Sequence, residues 1–253
     1  AAKRFGVPFV YRYSGDRFYE YRVASGKQKL TGFALGNVLG RVPLSLADQC
    51  LVLGPRGRDR LTNRGVSGDA ITRLPPSVHA ERFREPGDGT PVCVPGGREV
   101  ILFVGRISRL KGSGTLRATL PQILDDRDDL QLVFVGAEEE RLSLSASDAD
   151  HVTVVGPVDP AEMPAYYQQA SLLIHPSLTE GVPRAVLESL AAGTPVLVRD
   201  VGDVTSVTEN TFVRDDEFVD SVRSFEDLPL DDVRPFTRES LAPAYADFFE
   251  SFR

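Results

Sequence analysis

The feature that most constrains the fold is a regular alternation of short apolar runs with helical patterns between residues 99 and 200. The apolar runs are rich in β-branched residues, and three of them are followed directly by glycine. Strands with continuous apolar character are buried on both faces, as in a parallel sheet covered by helices. Five strands are predicted on this basis, at residues 100–104, 130–135, 152–155, 172–174 and 196–198. We therefore expect a doubly wound α/β domain, whose ligands bind at the carboxyl ends of the strands.

The helices between these strands are predicted from three local signals. One segment carries four apolar residues on one helical face. A second has an N-cap, a first-turn proline and a capping-box acid, and a third lies between a proline and a glycine. The apolar face of the first segment consists of Leu116, Leu120, Ile123 and Leu124. The signals of the second are Asp159, Pro160 and Glu162, and the third lies between Pro183 and Gly193.

The rest of the chain predicts a partial second α/β domain and a helix that returns to it. Residues 1–84 contain three short predicted strands, at 8–13, 50–53 and 70–74, and a helix end at 61–65. Residues 85–98 are rich in Pro and Gly and predict a linker. We place the larger domain at 99–225, followed by an acidic loop and a terminal helix within 226–253. The apolar face of that helix is predicted from Leu241, Tyr245, Phe248 and Phe249.

Composition excludes several classes of protein. The net charge of −7 disfavours a general nucleic-acid binder, and no apolar run approaches the roughly 18 residues that span a bilayer. Cys50 and Cys93 have no metal-binding or redox spacing, so we interpret both as buried thiols in a reducing compartment. The start at Ala1 is interpreted as the end of a helix, which indicates a fragment; a processed terminus is the alternative.

The first candidate site follows the predicted strand 100–104, in the sequence Gly105-Arg106-Ile107-Ser108-Arg109-Leu110-Lys111-Gly112. Gly105 allows a tight turn near a ligand. Arg106 and Lys111 then supply two positive charges beside a helix start, an arrangement that suits a diphosphate. Lys111 is notable because the chain has only four lysines. The alternative is a pair of solvated surface cations.

The second candidate site is Glu180-Gly181-Val182-Pro183-Arg184-Ala185-Val186-Leu187-Glu188. Glu180 precedes a predicted helix, where the helix dipole stabilises an anion, and Glu188 lies in its second turn. Carboxylates accept paired hydrogen bonds from vicinal hydroxyls, so the pair suits sugar and ribose recognition. Ordinary helix-start acids are the alternative. A third cluster, from Gly193 through Asp200, Gly202 and Asp203, is assigned a structural role, as is His175.

On these motifs the chain resembles the large retaining glycosyltransferase family, number four in the carbohydrate-enzyme classification, also called glycosyl transferases group 1. The resemblance covers residues 105–112, 134–136 and 156–202 in the family's order and spacing, and is weaker over 4–83. It implies a GT-B fold with an acceptor-side domain at 1–84 and a donor-binding domain at 99–225. It also implies a retaining mechanism without a metal.

The resemblance also implies a role for each candidate residue. Arg106 and Lys111 bind the diphosphate of a UDP- or GDP-sugar, Glu180 contacts the donor sugar and Glu188 the ribose. The backbone around the donor is expected to come from Gly105, Gly136, Gly181, Val182 and Pro183.

Three departures from the family pattern limit how far these residue roles can be transferred to this chain. Many members have a histidine after the first-domain strand, where this chain has Arg12-Tyr13-Ser14-Gly15-Asp16. Asp16 is either a polar active-site residue or part of a plain turn. The family's Gly-rich loop is absent, and Ala137-Glu138-Glu139-Glu140 replaces a small-residue turn after Gly136.

The leading hypothesis is a cytoplasmic hexosyltransferase acting on a glycan or lipid-linked acceptor, and peripheral association with the inner face of the membrane is compatible with it. A nucleotide-sugar epimerase on the same scaffold is an alternative, and a non-catalytic nucleotide-sugar-binding fragment is another. A dinucleotide oxidoreductase is disfavoured because no Gly-x-Gly-x-x-Gly follows a strand.

Overall fold

The framework consists of a small and a large parallel sheet, seen in a computed structural model that describes residues 5–15, 41–85 and 97–252. The first part contains β1 (Val10–Tyr13), α1 (Arg41–Leu46), β2 (Gln49–Val52), α2 (Pro55–Thr62), β3 (Ile71–Arg73) and α3 (Ala80–Arg84). The second part contains β4 (Glu99–Val104), α4 (Ser113–Asp126), β5 (Leu130–Val135), α5 (Ala146–Ala149), β6 (Val152–Gly156), α6 (Met163–Gln169), β7 (Leu172–His175), α7 (Arg184–Ala192), β8 (Val196–Arg199), β9 (Thr211–Phe212), α8 (Asp215–Arg223) and α9 (Arg238–Glu250).

The order of the strands confirms the predicted doubly wound arrangement. Within the described residues the small sheet runs β1-β2-β3 and the large sheet β6-β5-β4-β7-β8-β9, with every pairing parallel. All five strands predicted for the large sheet are present, within one residue at either end. The strand order switches between β4 and β7, so that β5 and β6 lie on one side of this pair and β8 and β9 on the other. The switch creates a crevice at the carboxyl ends of β4 and β7.

Each face of the large sheet packs into its own core. On β4, Val100 and Leu102 belong to one apolar cluster, while Ile101 and Phe103 belong to the other. The first cluster includes residues of α6 and α7, and the second includes residues of α4 and α8. Burial on both faces explains why β4, β5, β7 and β8 are continuous apolar runs instead of alternating ones. The same burial was expected for β6, but this strand lies at the edge of the sheet and is only partly buried.

The small sheet has a separate core, which contains Cys50, predicted to be buried and only 1% exposed. Burial raises the pKa of the Cys50 thiol. Cys93 lies outside the described residues.

One helix begins later than predicted, and the start of another was not predicted. Asp159 was expected to cap α6, but its carboxylate accepts a hydrogen bond from the Ala161 amide at 2.8 Å within a preceding turn. The helix itself begins four residues later, at Met163. The helix that ends near the predicted 61–65 is α2, whose start has no capping side chain in its own sequence.

The terminal helix α9 returns to the small sheet, as predicted. Thr237 caps it by accepting a hydrogen bond from the Ser240 amide. Phe248 packs with Leu51 and Leu74, and the Tyr245 hydroxyl donates to the Pro75 carbonyl at 2.8 Å. The predicted apolar face is wrong at one position, because Phe249 is 58% exposed. Further along the chain, Phe252 packs against this cluster.

Candidate active site

The candidate residues meet at the crevice between β4 and β7. The segment after β4 makes a tight 3-10 turn over Arg109–Lys111, and the segment after β7 runs from Pro176 to the start of α7. The Leu178 amide donates to the Leu110 carbonyl at 2.8 Å, which ties the two segments together. Because this is the point where the strand order reverses, it is the expected ligand site of such a sheet.

Glycines allow the backbone to approach closely here. Gly112 has φ +90°, and a Cβ at this position would overlap the Pro176 carbonyl. Gly136 has φ +140°, and its Cβ would overlap the Gly105 carbonyl. The loops after β4, β5 and β7 therefore pack backbone against backbone, which explains why glycine occupies these turns.

The structure brings together three side chains at the base of the crevice. The Lys111 ammonium forms an ion pair with Oε1 of Glu180. His175 Nε2 lies 3.0 Å from the same oxygen. The side chains of Lys111, Glu180 and His175 are 27%, 14% and 3% exposed. A cation from the β4 loop and a carboxylate from the β7 loop thus form one nearly buried cluster.

This cluster sets the protonation state of Glu180. Burial by itself raises the pKa of this carboxyl. The hydrogen bond and charge of His175 and the charge of Lys111 outweigh burial and lower the pKa to about 2. Glu180 is therefore a carboxylate at neutral pH, and it can only accept hydrogen bonds.

Arg106 is not part of this cluster. Its guanidinium forms an ion pair with Glu139 at 2.9 Å, and the two side chains are 61% and 46% exposed. Exposed pairs of this kind contribute about 0–1 kcal/mol, so a ligand phosphate can readily compete for Arg106. Arg106 and Lys111, expected to act together, have separate carboxylate partners here.

Glu188 lies on the second turn of α7 and faces a different neighbour. The Tyr167 hydroxyl donates to its carboxylate at 2.8 Å. Burial and the charge of Glu188 raise the pKa of Tyr167 well above its usual value. Glu188 also lines a pocket whose other polar lining residues include Ser77, Arg82, Arg184 and Arg238.

The small sheet reaches the site through the loop after β1. A Cβ on Gly181 would overlap the Ser14 carbonyl, and Gly15 lies against the backbone of Glu180 and Gly181. Val182 and Pro183 are buried. Asp16, interpreted from the sequence as either a polar active-site residue or part of a plain turn after β1, lies outside the described residues.

A cluster that we assigned only a structural role joins the two sheets. Asp203 accepts hydrogen bonds from the backbone amides of Arg56 and Gly57, at 2.8 and 3.2 Å, and so caps α2. The Arg56 guanidinium binds both carboxylate oxygens of Asp200, at 2.5 and 3.2 Å. The Asp203 amide donates to the Gly181 carbonyl at 2.8 Å. This contact, which we call the Asp200–Asp203 clasp, supports the Glu180 loop from behind.

Within the described residues, no three or more His, Cys, Asp or Glu side chains form a group that could hold a metal ion. The same part of the chain contains no helix long and apolar enough to cross a membrane.

Comparison with known proteins decides the family. A family model described as "Glycosyl transferases group 1" matches residues 98–226, just over half of the chain. This chain belongs to the glycosyl transferases group 1 family. Among its relatives is a D-inositol 3-phosphate glycosyltransferase from Acidothermus cellulolyticus. It is 32% identical over 86% of this chain and 51% of its own length. The chain therefore spans about half the length of this relative.

Solved structures show the GT-B fold. Sucrose-phosphate synthase from Thermosynechococcus elongatus superposes with a TM-score of 0.74 at 23% identity, over 98% of this chain and 69% of its own. HepE from Anabaena, solved in complex with UDP, superposes with a TM-score of 0.70 at 14% identity, over 99% of this chain and 74% of its own. At these identities the likeness to the two structures establishes the fold alone.

Sequence reasoning missed two features of the site. His175 was recognised at a strand end but was given no part in it, although it contacts Glu180. The clasp was missed because its members are about 145 residues apart. One sequence signal could have pointed to it. Gly54 and Pro55 start a helix but have no side chain that can cap it, so the cap has to come from another part of the chain.

Proposed function

We propose that this chain binds a UDP- or GDP-sugar and takes part in retaining transfer of its hexosyl group to a glycan or lipid-linked acceptor. The observation that carries the proposal is the contact of Lys111 with Glu180 at the crevice between β4 and β7. A cation that suits a diphosphate and a carboxylate that suits sugar hydroxyls are adjacent there, which supports recognition of a sugar diphosphate.

The proposed reaction begins with an exchange of partners. The donor diphosphate takes Lys111 from Glu180 and Arg106 from Glu139, and the freed carboxylate of Glu180 accepts hydrogen bonds from the sugar. Negative charge grows on the diphosphate as the glycosidic bond breaks. Two preorganised cations stabilise that charge, and the leaving phosphate accepts the acceptor's proton on the same face of the sugar. The proposal assigns no role to a metal ion.

Binding of the nucleoside diphosphate is assigned to α7 and the loops beside it. Glu188 accepts hydrogen bonds from the ribose, and the pocket beside it is rich in arginine. HepE was solved with UDP, and the Acidothermus relative is named for transfer to an inositol phosphate. The first fact supports a nucleotide-sugar donor, and the second supports glycosyl transfer. For this chain the acceptor and a site of action at the inner face of the membrane stay predictions.

Isothermal titration calorimetry with UDP and GDP tests the proposal, followed by transfer assays with the corresponding hexose donors. We expect one nucleotide to bind and its sugar to be transferred. A folded protein that binds neither at millimolar concentration would overturn the proposal. Binding without transfer would favour the alternative of a nucleotide-sugar-binding fragment, since the chain spans about half of its relative.

A further inference from the structure

His175 lies at the carboxyl end of β7, where its imidazole is almost completely buried. Its Nε2 contacts Oε1 of Glu180 at 3.0 Å. Its Nδ1 is buried and has no hydrogen-bond partner within the described residues. A buried polar atom without a partner destabilises the fold, and an apolar side chain would avoid that penalty. Within the described residues, the contact with Glu180 is thus the one hydrogen bond of the His175 imidazole, and it is the reason for a histidine at this position.

Both protein donors act on the same oxygen of Glu180. Lys111 and His175 each bind Oε1, and within the described residues Oε2 accepts no hydrogen bond. This arrangement fixes the carboxylate at one oxygen and leaves the other available to a ligand. The two donors differ in mobility, because Lys111 is a flexible side chain on a loop turn whereas His175 is 3% exposed at a strand end.

The proposed reaction removes one of these donors. When the donor diphosphate binds Lys111, Glu180 loses its cation while it stays nearly buried. A buried carboxylate that has lost its cation is unfavourable even when neutral sugar hydroxyls bind it, which favours its protonation or its rotation towards water. Within the described part of the chain, His175 is then the remaining recorded partner of Glu180.

We infer that His175 is a positioning residue, which holds Glu180 ionised and aimed at the donor sugar after Lys111 has moved to the diphosphate. This inference rests on the proposed function for its role in the reaction. The contact between His175 and Glu180 does not depend on that function.

Two variants separate the hydrogen bond from the packing of the ring. His175→Gln retains an N–H donor at similar reach, whereas His175→Phe keeps the ring and removes the donor. His151→Phe is the matched control, because His151 lies at the opposite end of the sheet and its imidazole hydrogen-bonds the Leu130 carbonyl, away from Glu180. Thermal unfolding of each variant first establishes that it folds.

The functional test compares UDP with UDP-glucose, and GDP with GDP-mannose, by calorimetry and transfer assays. His175→Phe should bind the nucleoside diphosphate within about twofold of wild type. It should lose roughly tenfold or more in kcat for transfer, the size expected for a hydrogen bond to a charged group. The acid limb of its pH–rate profile should move towards neutral pH, because Glu180 is then protonated more easily. His175→Gln should stay within a few-fold of wild type. Equal losses for nucleotide and sugar nucleotide would overturn the inference.

A second measurement needs no ligand. The side chains that lower the pKa of Glu180 are Lys111, from the turn after β4, and His175 itself. Titration of the Glu180 carboxyl by carbon NMR should therefore show a higher pKa in His175→Phe than in wild type or His151→Phe. An unchanged titration would overturn the inference even if the protein transfers sugar. If no nucleotide binds, the proposed function fails and this titration still decides whether His175 controls Glu180.

Discussion

At the scale of single residues, the site is governed by competition for carboxylates. Glu180 and Glu139 each have a cationic partner when no donor is present, and the proposed donor takes both cations. The two ion pairs differ in burial, so their loss has different consequences. Breaking the nearly buried pair leaves the Glu180 carboxylate without its cation in a place that water solvates poorly. Breaking the exposed pair returns both Arg106 and Glu139 to water.

Lys111→Ala and Arg106→Ala should therefore separate stability from turnover. Each should lower kcat on the order of a hundredfold, because each removes a preorganised charge from the leaving diphosphate. Arg106→Ala should change the free energy of unfolding by about 0.5 kcal/mol or less, and Lys111→Ala should destabilise more. Lys111→Arg should not rescue turnover fully, since a planar fork places its donors differently. Steady-state kinetics and urea denaturation measure both effects.

Near-normal turnover in both alanine variants would mean that these residues are surface charges and that the chemistry lies elsewhere.

Glu188→Ala should weaken nucleoside diphosphate binding by about 1–3 kcal/mol, the range for lost hydrogen bonds to a charged group. It should also destabilise the fold, because the buried Tyr167 hydroxyl loses its acceptor. Tyr167→Phe is the control, since it removes that hydroxyl and leaves Glu188 in place. Calorimetry should show nearly normal nucleotide affinity for Tyr167→Phe. Normal affinity in Glu188→Ala would exclude a ribose role for this carboxylate.

The sequence predicted which residue types enter the site but not how they pair. The spacing of Glu180 and Glu188 around a helix start, and of Arg106 and Lys111 after a strand, follows from local patterns. The pairing of Lys111 with Glu180 depends on the order of β4 and β7 in the sheet. That order brings together loops 69 residues apart, and no local pattern contains it.

At the scale of elements, α2 shows how a helix can begin without a local signal. Gly54 precedes it and Pro55 is its first residue, and neither side chain can accept a hydrogen bond from the first amides. Asp203, 147 residues further along the chain, accepts these hydrogen bonds instead. Prediction of secondary structure from sequence found only the end of this helix for that reason. Strands β4, β5, β7 and β8 were predicted accurately because they are buried on both faces and are therefore apolar throughout. Strand β6 was also predicted from its apolar run, although it lies at the edge of the sheet and is only partly buried.

Asp203→Ala should destabilise the protein by about 0.5–2 kcal/mol, the usual range for loss of an N-cap. The expected reason is that the Arg56 and Gly57 amides stay partly buried without an acceptor. Chemical denaturation gives the difference, and Asp232→Ala is the control because Asp232 pairs only with nearby Arg234 on the surface. Equal effects of the two substitutions would argue against a capping role.

Glycine substitutions test the close approach of the two sheets. Gly181→Ala places a methyl group against the Ser14 carbonyl and the Leu53 side chain, so we expect a loss of about 1–3 kcal/mol. Gly114→Ala meets no atom within 4 Å and lies inside α4, so it should be neutral or stabilise by up to about 1 kcal/mol. Thermal unfolding compares them. A tolerated Gly181→Ala would show that the sheets can separate at this contact.

At the scale of the whole molecule, Glu180 makes stability depend on pH. Its pKa is about 2 in the fold and 4.5 without it. The ionised form therefore stabilises the fold fully above about pH 4.5, and this contribution is lost as the pH falls towards 2. The complete shift corresponds to on the order of 3 kcal/mol. Buried Asp203 has the opposite sign, because burial raises its pKa despite its hydrogen bonds to Gly57 and Arg56.

Urea denaturation between pH 2.5 and 6 measures this dependence. The difference in unfolding free energy between wild type and Glu180→Gln should shrink as the pH falls through this range. A difference that stays constant with pH would mean that Glu180 is not held as a carboxylate by its neighbours.

The return of α9 to the small sheet has a consequence for biosynthesis. A ribosome makes β1, β2 and β3 long before it makes Phe248, which packs between Leu51 and Leu74. The large sheet lies between them in the chain and has both of its cores within residues already synthesised. We therefore expect the middle of the nascent chain to fold first, while the face of the small sheet that carries Leu51 and Leu74 stays uncovered until the last helix is made. In a stalled chain that ends before residue 237, residues 41–75 should be cleaved by protease more readily than residues 99–225.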